Sequence, residues 1–319
     1  MSADQRESAR RPVGVAVAGF GWMGRVHTQA YARVLHHFPH LPVAPELVAV
    51  AAAVEEAGVQ GTVGFNYRNA PAVAAAREMI AAGEIGAVTH ARFRLFSDYA
   101  AHPEGALTWR YERARGGSGV LGDLASHGVD LARHLLGEIA ALVADSAVFV
   151  PERARPTGAT AGHARAAGGE LGPVENEDYV AALLRFASGA RGVLEASRVA
   201  VGEQNNYGFE IHGTTGAVFW DFRRMNELGV STGGSYGDQP VSTLYVGPGH
   251  GDYAAFQPGA AIAMGYDDLK VIEAHNFLRS IADGAPHGTT LADAVRSGIA
   301  LDAMARSAET GAWTAVAPA

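Results

Sequence analysis

Apolar and polar positions along this chain change their period part-way, and the change divides it. Residues 13–18 (VGVAVA) form an apolar, β-branched run ending against Gly19, the pattern of a buried parallel strand. Met23, Val26, Ala30 and Val34 then recur at helical spacing. A second buried strand is predicted at 47–51, followed by AAVEEAGV, which reads as a helix tail stopped by Gly58. GTVGFNYR (61–68) reads as another strand. PAVAAAREMIAAGEIG (71–86) reads as a helix with proline near its start and Gly83 at its end.

From residue 88 the period becomes two. His90, Arg92 and Arg94 fall on one face, and Thr89, Ala91, Phe93 and Leu95 on the other, which predicts a sheet with one wetter side. Residues 151–173 are rich in Pro, Gly, Ala and Arg without periodicity and read as a flexible surface insertion. Two hairpins follow, turning at Ser188–Gly189 and at Thr214–Thr215, and two helices close the chain at 267–283 and 291–309. The fold class is α/β plus α+β. A short parallel α/β part precedes a larger one with an open, mainly antiparallel sheet and flanking helices.

Composition narrows the functional classes. The 319 residues are 48% apolar and 18% charged, enough for a sizeable core. A net charge of −8 speaks against nucleic acid and anionic membrane surfaces as partners. With no cysteine, disulfides, thiolate chemistry and cysteine-ligated metals are excluded. The opening MSADQRESARRP lacks the apolar core of a secretory signal, and no apolar run approaches membrane-spanning length. A soluble, cytoplasmic protein is the expectation. Lys270 is the sole lysine.

Gly19, Gly21 and Gly24 in VAGFGWMGRVH form G-x-G-x-x-G between the predicted strand and helix. There they permit a tight turn, close approach of backbone to a diphosphate, and close helix–strand packing. With 40 glycines in the chain the spacing is weak alone. A second copy, Gly117, Gly119 and Gly122, follows no buried strand and reads as a loop leading into a helix. A ribose-binding acid is expected at the end of the second strand. Ala52 stands there, with Glu55 and Glu56 beyond it.

GVLGDLASHGVDLARHLLGE places Asp123, His127, Asp130 and His134 on one stripe of a helix beside Leu124, Leu131 and Leu135. The stripe reads either as a solvated face or as a histidine poised for proton transfer, with a carboxylate one turn earlier. HHFPH (His36, His37, His40) reads as an exposed helix end whose histidines suit the dipole.

These stretches, with GFNYRNAPAV and GYDDLKVIEAHNFLRSIADG, resemble the Gfo/Idh/MocA oxidoreductases, and among them inositol- and levoglucosan-dehydrogenase-like members. The likeness spans nearly the whole chain. It implies a Rossmann-like dinucleotide-binding domain, here 1–68, and a substrate and oligomerisation domain, 69–319. The implied reaction is hydride transfer between NAD or NADP and a sugar or polyol. The implied partners are a small-molecule substrate and further copies of the chain, assembled through the C-terminal sheet. Gly19, Phe20, Gly21, Trp22, Met23 and Gly24 would hold the cofactor. His127 would be the proton donor and acceptor, Asp123 its partner, and Tyr67, Arg68, Trp109 and Asp130 would line the sugar pocket. The resemblance also implies an internal deletion. LVAVA passes at once to AAVEEAGVQGTVGFNYR, where relatives carry further strand–helix units and a Glu-Lys-Pro segment with a catalytic lysine. Lys270 lies in an amphipathic helix and reads as a surface residue. A deleted, non-catalytic relative that keeps a sugar-binding or oligomerisation module is the alternative.

Overall fold

The structure is a computed structural model describing residues 11–16, 22–38, 40–49, 60–157, 165–166 and 168–318. For residues 11, 12, 14–16, 22–25, 28, 32, 36 and 43–49 it describes the backbone alone. Its helices are α1 (Trp22–His37), α2 (Pro71–Ala81), α3 (Ser126–Leu136), α4 (Tyr266–Asp283) and α5 (Leu291–Thr310). Its strands are β1 (Arg11–Ala16), β2 (Val43–Ala49), β3 (Val88–Phe96), β4 (Ile139–Ala147), β5 (Glu152–Ala154), β6 (Leu171–Pro173) and β7 (Tyr179–Phe186). They continue with β8 (Arg191–Ser197), β9 (Asn206–Gly213), β10 (Gly216–Asp221), β11 (Glu227–Thr232), β12 (Ser242–Tyr245) and β13 (Thr314–Ala315). The chain forms two compact units, residues 1–75 with 245–294, and 76–244 with 295–319. The sequence pattern suggests one cut after Arg68, but the segment 245–294 returns to the first unit. It carries α4, whose apolar face completes that unit's core.

In the first unit β1 and β2 pair in parallel. Helix α1 packs Ala30 and Val34 against Val271, Ala274 and Leu278 of α4. Arg33 Nη2 reaches Asp268 Oδ1 at 2.8 Å, and Asp268 Oδ2 accepts the Gly265 N–H at 2.9 Å, capping α4. The strand predicted at 61–68 is not one. Thr62 makes a single bridge to Thr290, and Asn66–Asn69 is a turn of 3₁₀ helix. Its β-branched residues find no strand ladder to join among the described residues, so propensity alone does not set the conformation.

Lys270 corrects a second expectation, being only 2% exposed. Its face of α4 is inside, and Glu273 three positions on supplies the counter-charge, Nζ to Oε2 at 3.2 Å. Burial still lowers the titration of the amine, with Glu273 working against the shift. His37 is likewise more than an exposed end. Its ring stacks on Phe256 at 4.2 Å, and its Nδ1 lies 3.0 Å from the Ala255 carbonyl. His40 is exposed, and the side chain of His36 is outside the described residues.

His275 sets a pH limit on this unit. Its ring stacks on Phe38 with centroids 3.6 Å apart, and its Nδ1 has no hydrogen-bond partner among the described residues. Burial, then the charges of Arg279 and His287, push its titration down to about 4 from 6.5. The unfolded chain therefore binds more protons than the folded one across that window. Stability falls as pH drops from 6.5 toward 4. We expect His275→Phe, which keeps the stacked ring, to flatten this part of the dependence of the urea midpoint on pH. Equal slopes in the two proteins would contradict it.

The second unit is built on a nine-stranded sheet, ordered β12-β11-β10-β9-β3-β8-β7-β4-β13. The β3–β8 pair is parallel, and β7–β8 and β9–β10 are the two predicted hairpins. The inward positions of β3, β8 and β9 (Phe93, Leu95, Leu194, Phe209, Ile211) are at most 2% exposed. Across the other face, His90 stands opposite His212 and Arg92 opposite Glu210, so the alternation read from the sequence holds. Within the apparent insertion β5 and β6 pair as a two-stranded ribbon, and 158–164 with 167 lie outside the described residues. No described helix is long and apolar enough to cross a membrane.

Candidate functional site

The helix that carries Asp123 and His127 is fixed on three sides. At its start the Val120 N–H donates to the Glu177 carbonyl at 2.9 Å, and the Leu121 N–H to the Glu177 carboxylate at 2.9 Å. These bonds satisfy amides that a helix start leaves without partners. Gly119 is required here, because a Cβ would lie 2.1 Å from the Glu177 carbonyl oxygen. One turn, Leu121–Ala125, is π-helical, a widening often met at functional sites. On the sheet side, a Cβ at Gly128 would sit 2.4 Å from Leu95 Cδ1, so α3 lies directly on β3. At its far end Arg133, 7% exposed, bonds both oxygens of Glu138 at 2.8 and 3.0 Å and Ser297 Oγ at 2.9 Å.

The polar stripe on this helix is not a uniformly solvated face. Asp123 and His127 are half-buried, and Asp130 is buried at 1% exposed. Asp123 meets groups that the spacing of the sequence does not reveal. Tyr99 donates its hydroxyl to Asp123 Oδ2 at 2.5 Å, and Arg110 Nη1 stands 3.5 Å from the same oxygen. The Arg110 guanidinium lies over the Trp109 ring, 4.8 Å from its centroid, and Trp109 is 42% exposed. Burial first, then the Asp123 charge, drive the titration of Tyr99 far above the ordinary phenol range. Tyr99 is therefore a hydrogen-bond donor at every working pH.

A cleft of about 540 Å³ opens beside Tyr99, lined by Asp98, His102, Tyr111, Arg165 and Gln204 among others. That volume and the mixture of rings with polar groups suit a small polar ligand. The guanidinium groups of Arg153 and Arg198 both lie over the Tyr111 ring, 4.4 and 4.8 Å from its centroid.

The remaining residues singled out in the sequence lie in the first unit or outside the described residues. Tyr67 is buried in the Asn66–Asn69 turn. Arg68 Nη1 stands 3.5 Å from Asp293 Oδ2. Gly19, Phe20 and Gly21 fall outside the described residues, as do Ala52, Glu55 and Glu56. Trp22, Met23 and Gly24 form the first turn of α1, as backbone only. Among the described residues, no group of three or more His, Asp or Glu side chains could hold a metal ion.

Residues 73–219 match the family described as the GFO/IDH/MocA C-terminal domain. Levoglucosan dehydrogenase of Pseudarthrobacter phenanthrenivorans is 38% identical over 274 residues, 85% of this chain and 70% of that protein. The chain belongs to the GFO/IDH/MocA family. Inositol 2-dehydrogenase of Rhizobium meliloti is a more distant relative, 28% identical over 235 residues, 69% of this chain and 62% of that one. Among solved structures, levoglucosan dehydrogenase in complex with NADH and L-sorbose is similar, with a TM-score of 0.88 at 29% identity. That match covers 97% of this chain and 100% of that one.

Proposed function

We propose that this chain is an NAD(P)-dependent oxidoreductase of sugars or polyols, with His127 and Asp123 as its acid–base pair. The observation that carries the reading is the half-buried Asp123 carboxylate, held by Tyr99 and Arg110 one helical turn before His127. Dehydrogenases of levoglucosan and inositol among the relatives support the substrate class. The cofactor unit fits a dinucleotide in one respect. β1 ends at Ala16, α1 begins at Trp22, and Gly24 falls in the first turn of that helix. Gly19 to Gly24 would hold the diphosphate, with the first amide N–H groups of α1 as donors. The nicotinamide ring, when bound, gives or takes the hydride. The His127 imidazole takes the proton from the reacting hydroxyl on oxidation and returns it on reduction. Asp123 orients that group, while Trp109, Tyr67, Arg68 and Asp130 are the proposed sugar-lining residues.

The uncovered sheet face, with Arg92 and Glu210 side by side and Leu183 at 52% exposed, is the proposed contact between copies of the chain. One observation favours a second reading. The sole lysine is Lys270, paired with Glu273, so no Glu-Lys-Pro lysine is present. The chain would then be a non-catalytic relative that keeps its sugar-binding or oligomerising unit.

Fluorescence titration with NADH and NADPH, together with reduction of NAD or NADP in the presence of levoglucosan or inositol, separates the two. Saturable binding with turnover is the expected result. Sugar binding without cofactor binding or turnover would establish the second reading and remove the first.

A further inference from the structure

We infer that Tyr99 is a positioning residue for Asp123: it holds the carboxylate through Oδ2 and leaves Oδ1 to the reaction. The inference rests on the acid–base role proposed for Asp123 and His127. Both contacts of Asp123, from the Tyr99 hydroxyl at 2.5 Å and from Arg110 Nη1 at 3.5 Å, fall on Oδ2. Oδ1 accepts no hydrogen bond from the described residues. A carboxylate gripped at one oxygen keeps a single orientation about its side-chain torsions. Its other oxygen then stands ready for an imidazole or a sugar hydroxyl, without a conformational search at each turnover.

The tyrosine itself is held well enough to act as a fixed post. Its ring packs on an apolar cluster of Ala100, Leu107, Tyr111 and Val174. The backbone on either side is tied down, with the Ser97 N–H donating to the Ser197 carbonyl and the Ala100 N–H to the Arg198 carbonyl, both at 2.9 Å. Beyond it, Arg153, itself fully buried, donates to the carbonyls of Ala100, His102 and Gly105 at 2.5, 3.2 and 3.4 Å. The loop that presents Tyr99 is thus closed by hydrogen bonds before and after the ring. The phenol stays protonated, so the donor persists when the site changes its own protonation. Arg110, longer by 1.0 Å (3.5 against 2.5 Å) and partly engaged with Trp109, adds charge rather than geometry.

The test is a double-mutant cycle on the full chain with Tyr99→Phe, which keeps the ring and removes only the hydroxyl. We expect kcat to fall about tenfold or more, as a displaced reacting group does, with the KM for the cofactor and the thermal midpoint unchanged. In an Asp123→Asn background the same substitution should change kcat less than about twofold, because the residue acts through Asp123. An equal fall in both backgrounds, or full activity of Tyr99→Phe, overturns the inference alone. A wild-type chain that turns over no sugar or polyol overturns the acid–base reading and this inference with it. An independent readout is the ring ¹³Cζ resonance of Tyr99 at neutral pH, which reports the hydrogen bond made by the hydroxyl. It should move in Asp123→Asn, and an unchanged resonance would show that the carboxylate does not hold the phenol.

Discussion

Asp178→Ala should lower the stability of the second unit by about 3–5 kcal/mol, the cost of leaving one member of a buried ion pair without its partner. Asp178 is 0% exposed and Arg198 2%. Arg198 Nε donates to Asp178 Oδ1 at 2.8 Å, and the other carboxylate oxygen accepts the N–H groups of Phe149 and Val150 at 2.8 and 2.9 Å. Truncation therefore leaves a buried guanidinium without its counter-charge, still bonded through Nη2 to the carbonyl and side-chain oxygens of Asn176, and two amides without acceptors. Urea unfolding followed by circular dichroism measures the loss, and a change below about 1 kcal/mol, the level of an exposed pair, would refute the argument. A double variant, Asp178→Leu with Arg198→Met, removes both charges and should recover only part of the loss, because the two amides remain without acceptors. The pair also reaches the site. The Ala100 N–H bonds the Arg198 carbonyl, so the Tyr99 loop loosens when Arg198 moves.

Legibility in the sequence followed how local the deciding forces were. The alternation in β3, the Ser188–Gly189 and Thr214–Thr215 turns and the closing helices follow from period and turn chemistry within a few residues of chain. They stand as read. The 61–68 segment looked like a strand because Val63 and Phe65 suit one, yet a strand needs a neighbour, and among the described residues only Thr62 finds a bridge. Lys270 looked exposed because lysine usually is. Its burial depends on Glu273 beside it and on α1 across from it, and the second of these is a long-range fact. Asp123 and His127 were visible as a pair at helical spacing. Tyr99 and Arg110 were not, since they come from the loop after β3 and from the turn before the glycine-rich loop. Only folding brings them to one oxygen. The residues Asp-Tyr after β3 and Trp-Arg before that loop were the available signal, and nothing in their spacing ties them to Asp123.

His127→Ala should reduce kcat by about 10²–10⁴, the usual contribution of a positioned acid–base group, and the upper half of that range is expected. On the proposed reading His127 is the proton-transfer group, where the resemblance to the family implies a lysine as well. The lysine of the Glu-Lys-Pro segment is missing, and the only amine left, Lys270, is buried against Glu273 in the first unit. With no such lysine in the sequence, loss of the imidazole leaves only Asp123 or water to move the proton. Affinity for NADH should be unchanged by fluorescence titration, because the role proposed for His127, on the helix over β3, is toward the sugar hydroxyl and not toward the cofactor. Asp123→Asn should cost less than His127→Ala, since it alters the orientation of the acid–base group and not its presence. If His127→Ala keeps more than about a third of the wild-type turnover, outside the range for a general acid or base, the proton moves by another route and the assignment falls. If both kcat and NADH binding vanish while the circular dichroism spectrum is unchanged, His127 serves the cofactor rather than the sugar hydroxyl.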